Sequence, residues 1–176
     1  MYTLRCTQKL LMRLKLDAKA LKVAEAPPST NALGDWYAHL LIIERQHLVM
    51  VVNERSRLCI LTTAKDIAGL PQRFEEALFT TLQATGIPEE ALLQERKAMA
   101  EVHYAVTTGT PNGRSVLGSI RDYTTPLEYG DFKGRTLEEW NLHFTDWICG
   151  PLGYARPINV AKEHLIKAFA EEPQPS

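Results

Sequence analysis

The residues with most chemical potential lie in Pro111–Asp122, PNGRSVLGSIRD. Gly113 permits a tight turn, and Ser115 is placed to cap a following helix whose free backbone amides attract anions. Arg114 and Arg121 would add positive charge. The spacing is nevertheless not that of a nucleotide-binding loop. Between Gly109 and Ser115 the chain reads G-x-x-x-G-R-S, one residue short of GxxxxGK[ST] and lacking its lysine. A turn followed by a helix cap is therefore the plainer reading. Ser115 and Ser119 lack the GxSxG elbow of a nucleophilic serine. Asp122, Glu128 and Asp131 read as solvated carboxylates.

The five histidines, His39, His47, His103, His143 and His164, form no HExxH or HxH pair and do not neighbour a cysteine at ligand spacing. No metal and no cofactor is expected. His143 falls in the aromatic stripe of Trp140, Phe144 and Trp147, as a packed or half-exposed histidine would. Strand alternation puts His39 on a face with Tyr37, Leu41 and Ile43, either hydrogen-bonded there or lining a pocket. Arg45 and Arg55 mark two turns, and Arg5 and Arg57 sit in or beside strands. There they can support a carboxylate such as Asp122 or hold an anionic ligand.

The elements that must position these groups are set by Trp36–Thr63. Three apolar, β-branched runs are separated by Glu44–His47 and Asn53–Arg57, the pattern of an antiparallel meander with strands over Tyr37–Glu44, His47–Asn53 and Arg57–Thr63. The unbroken Leu48–Val52 run suits a central strand covered on both faces. Tyr2–Thr7 is predicted as a strand joining an edge of this sheet, and Gln8–Leu16 as a helix. Residues 24–35, with Pro27, Pro28 and Gly34, form a loop. After Pro71 the apolar period becomes helical. Five helices are predicted: from Pro71 to Gly86, from Pro88 through Met99 and Val102, over Ser115–Tyr123, over Leu137–Cys149 behind a Thr136/Glu139 capping box, and from Asn159 to about Phe169. Thr107–Arg114 and Thr124–Gly134 are predicted loops. The expected fold is α+β: a small antiparallel sheet, made of the N-terminal strand and the meander, with C-terminal helices collected on one side. It forms one domain over 1–170, with its sheet in 1–66 and its helices in 70–170, and a flexible tail at 171–176.

Composition sets outer bounds. The chain has 176 residues, 45% hydrophobic and 23% charged, with net charge −1; this is ordinary for a soluble domain with no global field to draw in nucleic acid. The first 22 residues are locally basic: Arg5, Lys9, Arg13, Lys15, Lys19 and Lys22 stand against Asp17. They read as a solvated helix face before a phosphate-binding surface. Cys6, Cys59 and Cys149 are far apart and among apolar neighbours, which fits free thiols in a reducing cytoplasm. The N-terminus has no signal-peptide pattern, and no apolar run is long enough to span a bilayer.

Three segments taken together, RCTQKLL at 5–11, WYAHLLIIERQHLVMVVNERSR at 36–57 and RSVLGSIRD at 114–122, resemble a family of small bacterial and archaeal proteins described as a domain of unknown function. The matching positions are Arg5, Cys6, Thr7, Lys9, Trp36, His39, Arg45, Asn53, Ser115, Gly118, Ser119 and Asp122. The resemblance implies a fold and a bacterial source; it carries no reaction. It also suggests that Arg5, His39, Arg45, Ser119 and Asp122 converge on the sheet, as a structural network or as a site for a small anion or nucleotide. The candidate ligand-binding set is Arg5, Lys9, Trp36, His39, Arg45, Asn53, Arg114, Ser115, Ser119 and Asp122, with no catalytic residue identified. The functional expectation is a non-enzymatic interaction or regulatory module with a protein partner, in a mobile-element, toxin–antitoxin or defence context. One alternative is a hydrolase or nucleotide-modifying enzyme using the Arg/His/Ser/Asp cluster. Another is nucleic-acid binding through the basic first helix.

Overall fold

The computed structural model describes residues 1–171. The meander lies where its pattern places it. Strands β2 (Trp36–Ile43), β3 (Gln46–Asn53) and β4 (Cys59–Thr63) pair antiparallel, with Leu40 opposite Val49 and Val51 opposite Ile60. Glu44 and Arg45 form the two-residue β2–β3 turn. Both have positive φ, 47° and 71°, as hairpin turns matched to strand twist require.

The sheet is larger than expected and mixed. Strand β1 (Tyr2–Cys6) does not extend an edge of the meander. It lies between β2 and a fifth strand, β5 (Val102–Val106), parallel to both, and the order is β4-β3-β2-β1-β5. The sequence assigned Val102 to the end of a helical stripe; the short VHYAV run alternates too weakly to announce a strand, and its pairing with β1 supplies the missing drive. The sheet is therefore not confined to the first 66 residues.

The helices differ at their ends. The first is split into α1 (Gln8–Leu14) and α2 (Ala18–Val23), with Lys15 left-handed at φ 58° between them. Helices α3 (Leu70–Gln83) and α4 (Glu89–Ala98) follow the predicted turns. The expected loop at 124–134 begins instead as helix: α5 runs unbroken over Gly113–Tyr129 with Pro126 inside it. Pro126 removes one helical N–H. Burial of Tyr123 and Leu127 carries the helix through, while Thr124 and Thr125 donate their hydroxyls back to the Ile120 and Arg121 carbonyls. Helix α6 (Leu137–Thr145) begins with the predicted capping box but stops before Cys149. Helix α7 (Pro157–Glu171) closes the described chain. Of the predicted tail, 172–176 lie outside the described residues.

The helices cover both faces of the sheet rather than one. On one face Leu4, Trp36, Ala38, Val49 and Ile60 pack against α1, α3, α4 and α7. Trp36 is fully buried there, edge-on to Phe74 with centroids 4.9 Å apart. On the other, Tyr37, Leu41, Met50, Val52 and Leu61 pack against Val116, Ile120 and Tyr123 of α5 and Trp140 and Phe144 of α6. Burial on two faces is why β3 reads as a continuous apolar run. This is an α+β fold on a mixed five-stranded sheet.

Candidate functional site at the carboxyl ends of β1 and β5

Strands β1 and β5 are parallel neighbours, yet the helices that follow them lie on opposite faces of the sheet. The chain leaves Cys6 into α1 on one face, and leaves Val106 through 107–112 into α5 on the other. Divergence of adjacent parallel strands opens a crevice beyond their carboxyl ends, the place where ligands bind open sheets with helical connections. A cavity of about 310 Å³ lies there, lined by Cys6, Gln8, Lys19, Lys22, Thr107 and Thr108 together with Leu11, Ala18 and Val106.

Local chemistry shapes this crevice. The 107–112 loop turns on Gly109, at φ +84°. It then closes tightly at Gly113, where a Cβ would come within 2.7 Å of the Thr107 carbonyl and 2.8 Å of the Thr110 hydroxyl. Thr110 is tied to the sheet by a 2.5 Å hydrogen bond with the Tyr37 hydroxyl. Arg5 donates to Asp35 at 2.7 Å and to the Val106 carbonyl at 3.4 Å, which joins the start of β2 to the end of β5. Asp35 in turn accepts from Ser29 at 2.5 Å. At the start of α1, the Thr7 hydroxyl and His39 Nδ1 are hydrogen-bonded at 3.1 Å.

The field of the crevice is positive. Lys19 and Lys22 line it and no carboxylate does, among the described residues. Lys9 is exposed in the first turn of α1 and its ammonium acts on His39. Burial, and secondarily the Lys9 ammonium, hold His39 below the ordinary histidine pKa, so His39 is neutral at pH 7. Cys6 is buried and its thiol is pushed far above the usual range, which leaves it protonated and unreactive.

The sequence-derived candidates are thus partly gathered and partly dispersed. Arg5 reaches the crevice's edge through the Val106 carbonyl, whereas His39, bonded to Thr7, and Lys9 are not among its lining. Ser115 is not among its lining and does not cap the helix; its hydroxyl accepts from Arg57 at 3.0 Å. Arg114 is exposed in the same first turn. Arg45 projects at the hairpin tip, beyond the far end of β2. Ser119 is buried and donates to the Ser115 carbonyl. Asp122 lies further along α5, facing a different groove. The proposed convergence of Arg5, His39, Arg45, Ser119 and Asp122 does not occur. Trp36 is core. Asn53 is fully buried, donating to the Leu33 and Asp35 carbonyls and accepting from Arg55, Ser56 N and Ser56 Oγ. The carboxylate partner of Arg5 is Asp35, not Asp122.

Lys19, Lys22, Thr107 and Thr108 were not singled out by motif. The basic bias of residues 1–22 held the signal, but linking it to 107–108 requires the β1–β5 pairing. No helix is long and apolar enough to cross a membrane, among the described residues, and no group of three or more His, Cys, Asp or Glu side chains there is placed to hold a metal ion.

No curated protein and no solved structure matches the chain. Residues 3–160, which include β2 to β5, all of β1 but Tyr2, the crevice and the first six helices, match the family described as a domain of unknown function, DUF6933, and the chain belongs to that family.

Proposed function

We propose that this protein is a non-enzymatic binding module that takes a small phosphate-bearing anion in the crevice beyond β1 and β5. The observation that carries the reading is the crevice's position between diverging parallel strands, combined with a lining that holds two lysines, two threonine hydroxyls and no carboxylate among the described residues. A strongly hydrated anion gains from such a site, because the ammonium groups compensate its lost hydration and the hydroxyls supply directed hydrogen bonds. The volume is at the small end for ligand sites and suits a phosphate or phosphomonoester better than an extended polymer. Binding rather than catalysis is supported by the two groups on β1 and β2 that could act as nucleophile or base. The Cys6 thiol is held protonated, and His39 faces the Thr7 hydroxyl rather than an activated nucleophile.

Isothermal titration with inorganic pyrophosphate and with AMP at low salt tests the proposal. Saturable binding is expected, weakening as salt rises and falling by about tenfold or more in the Lys19→Glu, Lys22→Glu double variant. Both lysines are exposed, so that variant is expected to keep its fold. Absence of saturable binding, or equal affinity in the double variant, would overturn the reading.

A further inference from the structure

A second groove shares no lining residue with the crevice. Its volume is about 600 Å³, and it runs between α5, the 130–135 segment and α6. Two side-chain stripes line it. Asp122, Thr125 and Tyr129 recur at i, i+3 and i+7 along α5. Trp140, His143 and Trp147 recur at the same spacing along and just beyond α6. Such spacing places the first set, and the Trp140–His143 pair, each on one helix face. His143 packs edge-on between the two tryptophans, with centroids 5.8 and 5.7 Å away. Tyr129 is 85% exposed, a large aromatic ring with nothing over it among the described residues.

Charge and ring geometry together specify an occupant. The guanidinium of the chain's own Arg135 sits 4.8 Å from the centroid of the Trp140 ring, so this surface already accepts that group. Two carboxylates face the same groove. Asp122 makes no ion pair and no hydrogen bond among the described residues. Asp131 uses one oxygen to accept the Gly134 N–H, and its carboxylate lies close over Gly134, where a Cβ would push it aside. Arg135 pairs with neither acid among the described residues. His143 is held below its ordinary pKa by burial and by Arg135, so it adds no competing charge at pH 7.

We propose that the α5–α6 groove is a docking site for an arginine side chain of a partner protein, whose guanidinium stacks on the tryptophan rings and pairs with Asp122 and Asp131. Arg135 occupies part of the same surface as a resident mimic and is displaced or slides aside when the partner's arginine enters. A planar guanidinium fits both requirements, offering a face to the rings and a fork of donors to the carboxylates. Lysine satisfies only the charge.

The test titrates the full chain with the capped peptide acetyl-Gly-Arg-Gly-amide, following tryptophan fluorescence and the indole N–H resonances of Trp140 and Trp147. Citrulline and lysine peptides serve as comparisons. Saturable binding is expected in the order arginine, lysine, citrulline, with citrulline at least tenfold weaker because it keeps the shape and loses the charge. Asp122→Asn is expected to weaken the arginine peptide about fivefold, and Arg135→Ala to tighten it. Both residues are exposed, and circular dichroism verifies that the variants are folded. Equal binding of citrulline and arginine, no saturable change, or an Arg135→Ala variant that binds no more tightly would overturn the proposal. The experiment is separable from the anion test, since Lys19→Glu, Lys22→Glu is expected to leave peptide binding unchanged.

Discussion

Replacing Asn53 with alanine removes five hydrogen bonds in one step: two that its amide donates and three that its oxygen accepts. Asn53 is fully buried at the end of β3 and ties the β3–β4 turn to the segment leading into β2. The size of the loss follows from which partners can find water. The Asp35 carbonyl and the Arg55 N–H are in part-buried bonds and can be rehydrated. The Leu33 carbonyl, Ser56 N–H and Ser56 hydroxyl are in buried bonds and cannot be. Each stranded buried group costs about 1 kcal/mol or more, giving about 3 kcal/mol in total. For a chain of this size that corresponds to a Tm drop of about 6–12 °C. Urea unfolding followed by circular dichroism, with a thermal melt alongside, measures it. Asn53→Asp sharpens the test. It keeps all three accepted bonds but sets an oxygen against the Leu33 and Asp35 carbonyls and buries a charge, so at pH 7 it is expected to be no more stable than the alanine variant. If Asn53→Ala loses less than about 1 kcal/mol, or Asn53→Asp unfolds with the wild type, Asn53 is not the structural tie described.

Two further outcomes follow from the same geometry. His39 is held below the ordinary histidine pKa, so the unfolded chain binds the extra proton more readily than the folded one. Its contribution is complete above the unfolded value of about 6.5 and is lost as pH falls from there through the lower folded value; stability measured between pH 7.5 and 5 should decline less steeply in His39→Gln, and an identical slope would contradict the assignment. Gly113→Ala introduces a Cβ 2.7 Å from the Thr107 carbonyl, which forces the 107–110 loop outward. A loss of about 1–3 kcal/mol is expected, together with amide shifts concentrated at 107–110 in an NMR spectrum, whereas an unperturbed loop would refute the close approach.

The meander was legible because its signal is local. The β-branched runs and the Glu44–Arg45 break lie within one stretch of chain, and each run pairs with the run next to it in sequence. Strand β5 was not legible because nothing local requires it. Val102, Tyr104 and Val106 are only half-buried, and the segment becomes a strand by pairing with β1, from Tyr2 opposite Val102 to Cys6 opposite Val106. The same missing contact hid the crevice, whose lysines and threonines come from opposite sides of that pairing. Helix α5 was cut short because Thr124-Thr125-Pro126 reads as a break. Truncating it at Tyr123 erased the Asp122–Thr125–Tyr129 stripe, and with it the groove. Arg5 reads as a group needing a carboxylate, but the sequence does not single out Asp35, which reaches it only because β2 starts alongside the end of β1.

The position of β1 has a consequence for how the chain is made. Its two neighbours lie far apart in sequence: Leu4 pairs with Trp36 on one side and with Tyr104 on the other. During synthesis the hairpins of the meander can close as soon as they emerge, while the first strand retains an open flank until residue 106 leaves the ribosome. Closing that flank joins segments about a hundred positions apart, the slow, high-contact-order kind of step. The interval before it is when the nascent chain is most exposed to mispairing with other chains or capture by chaperones.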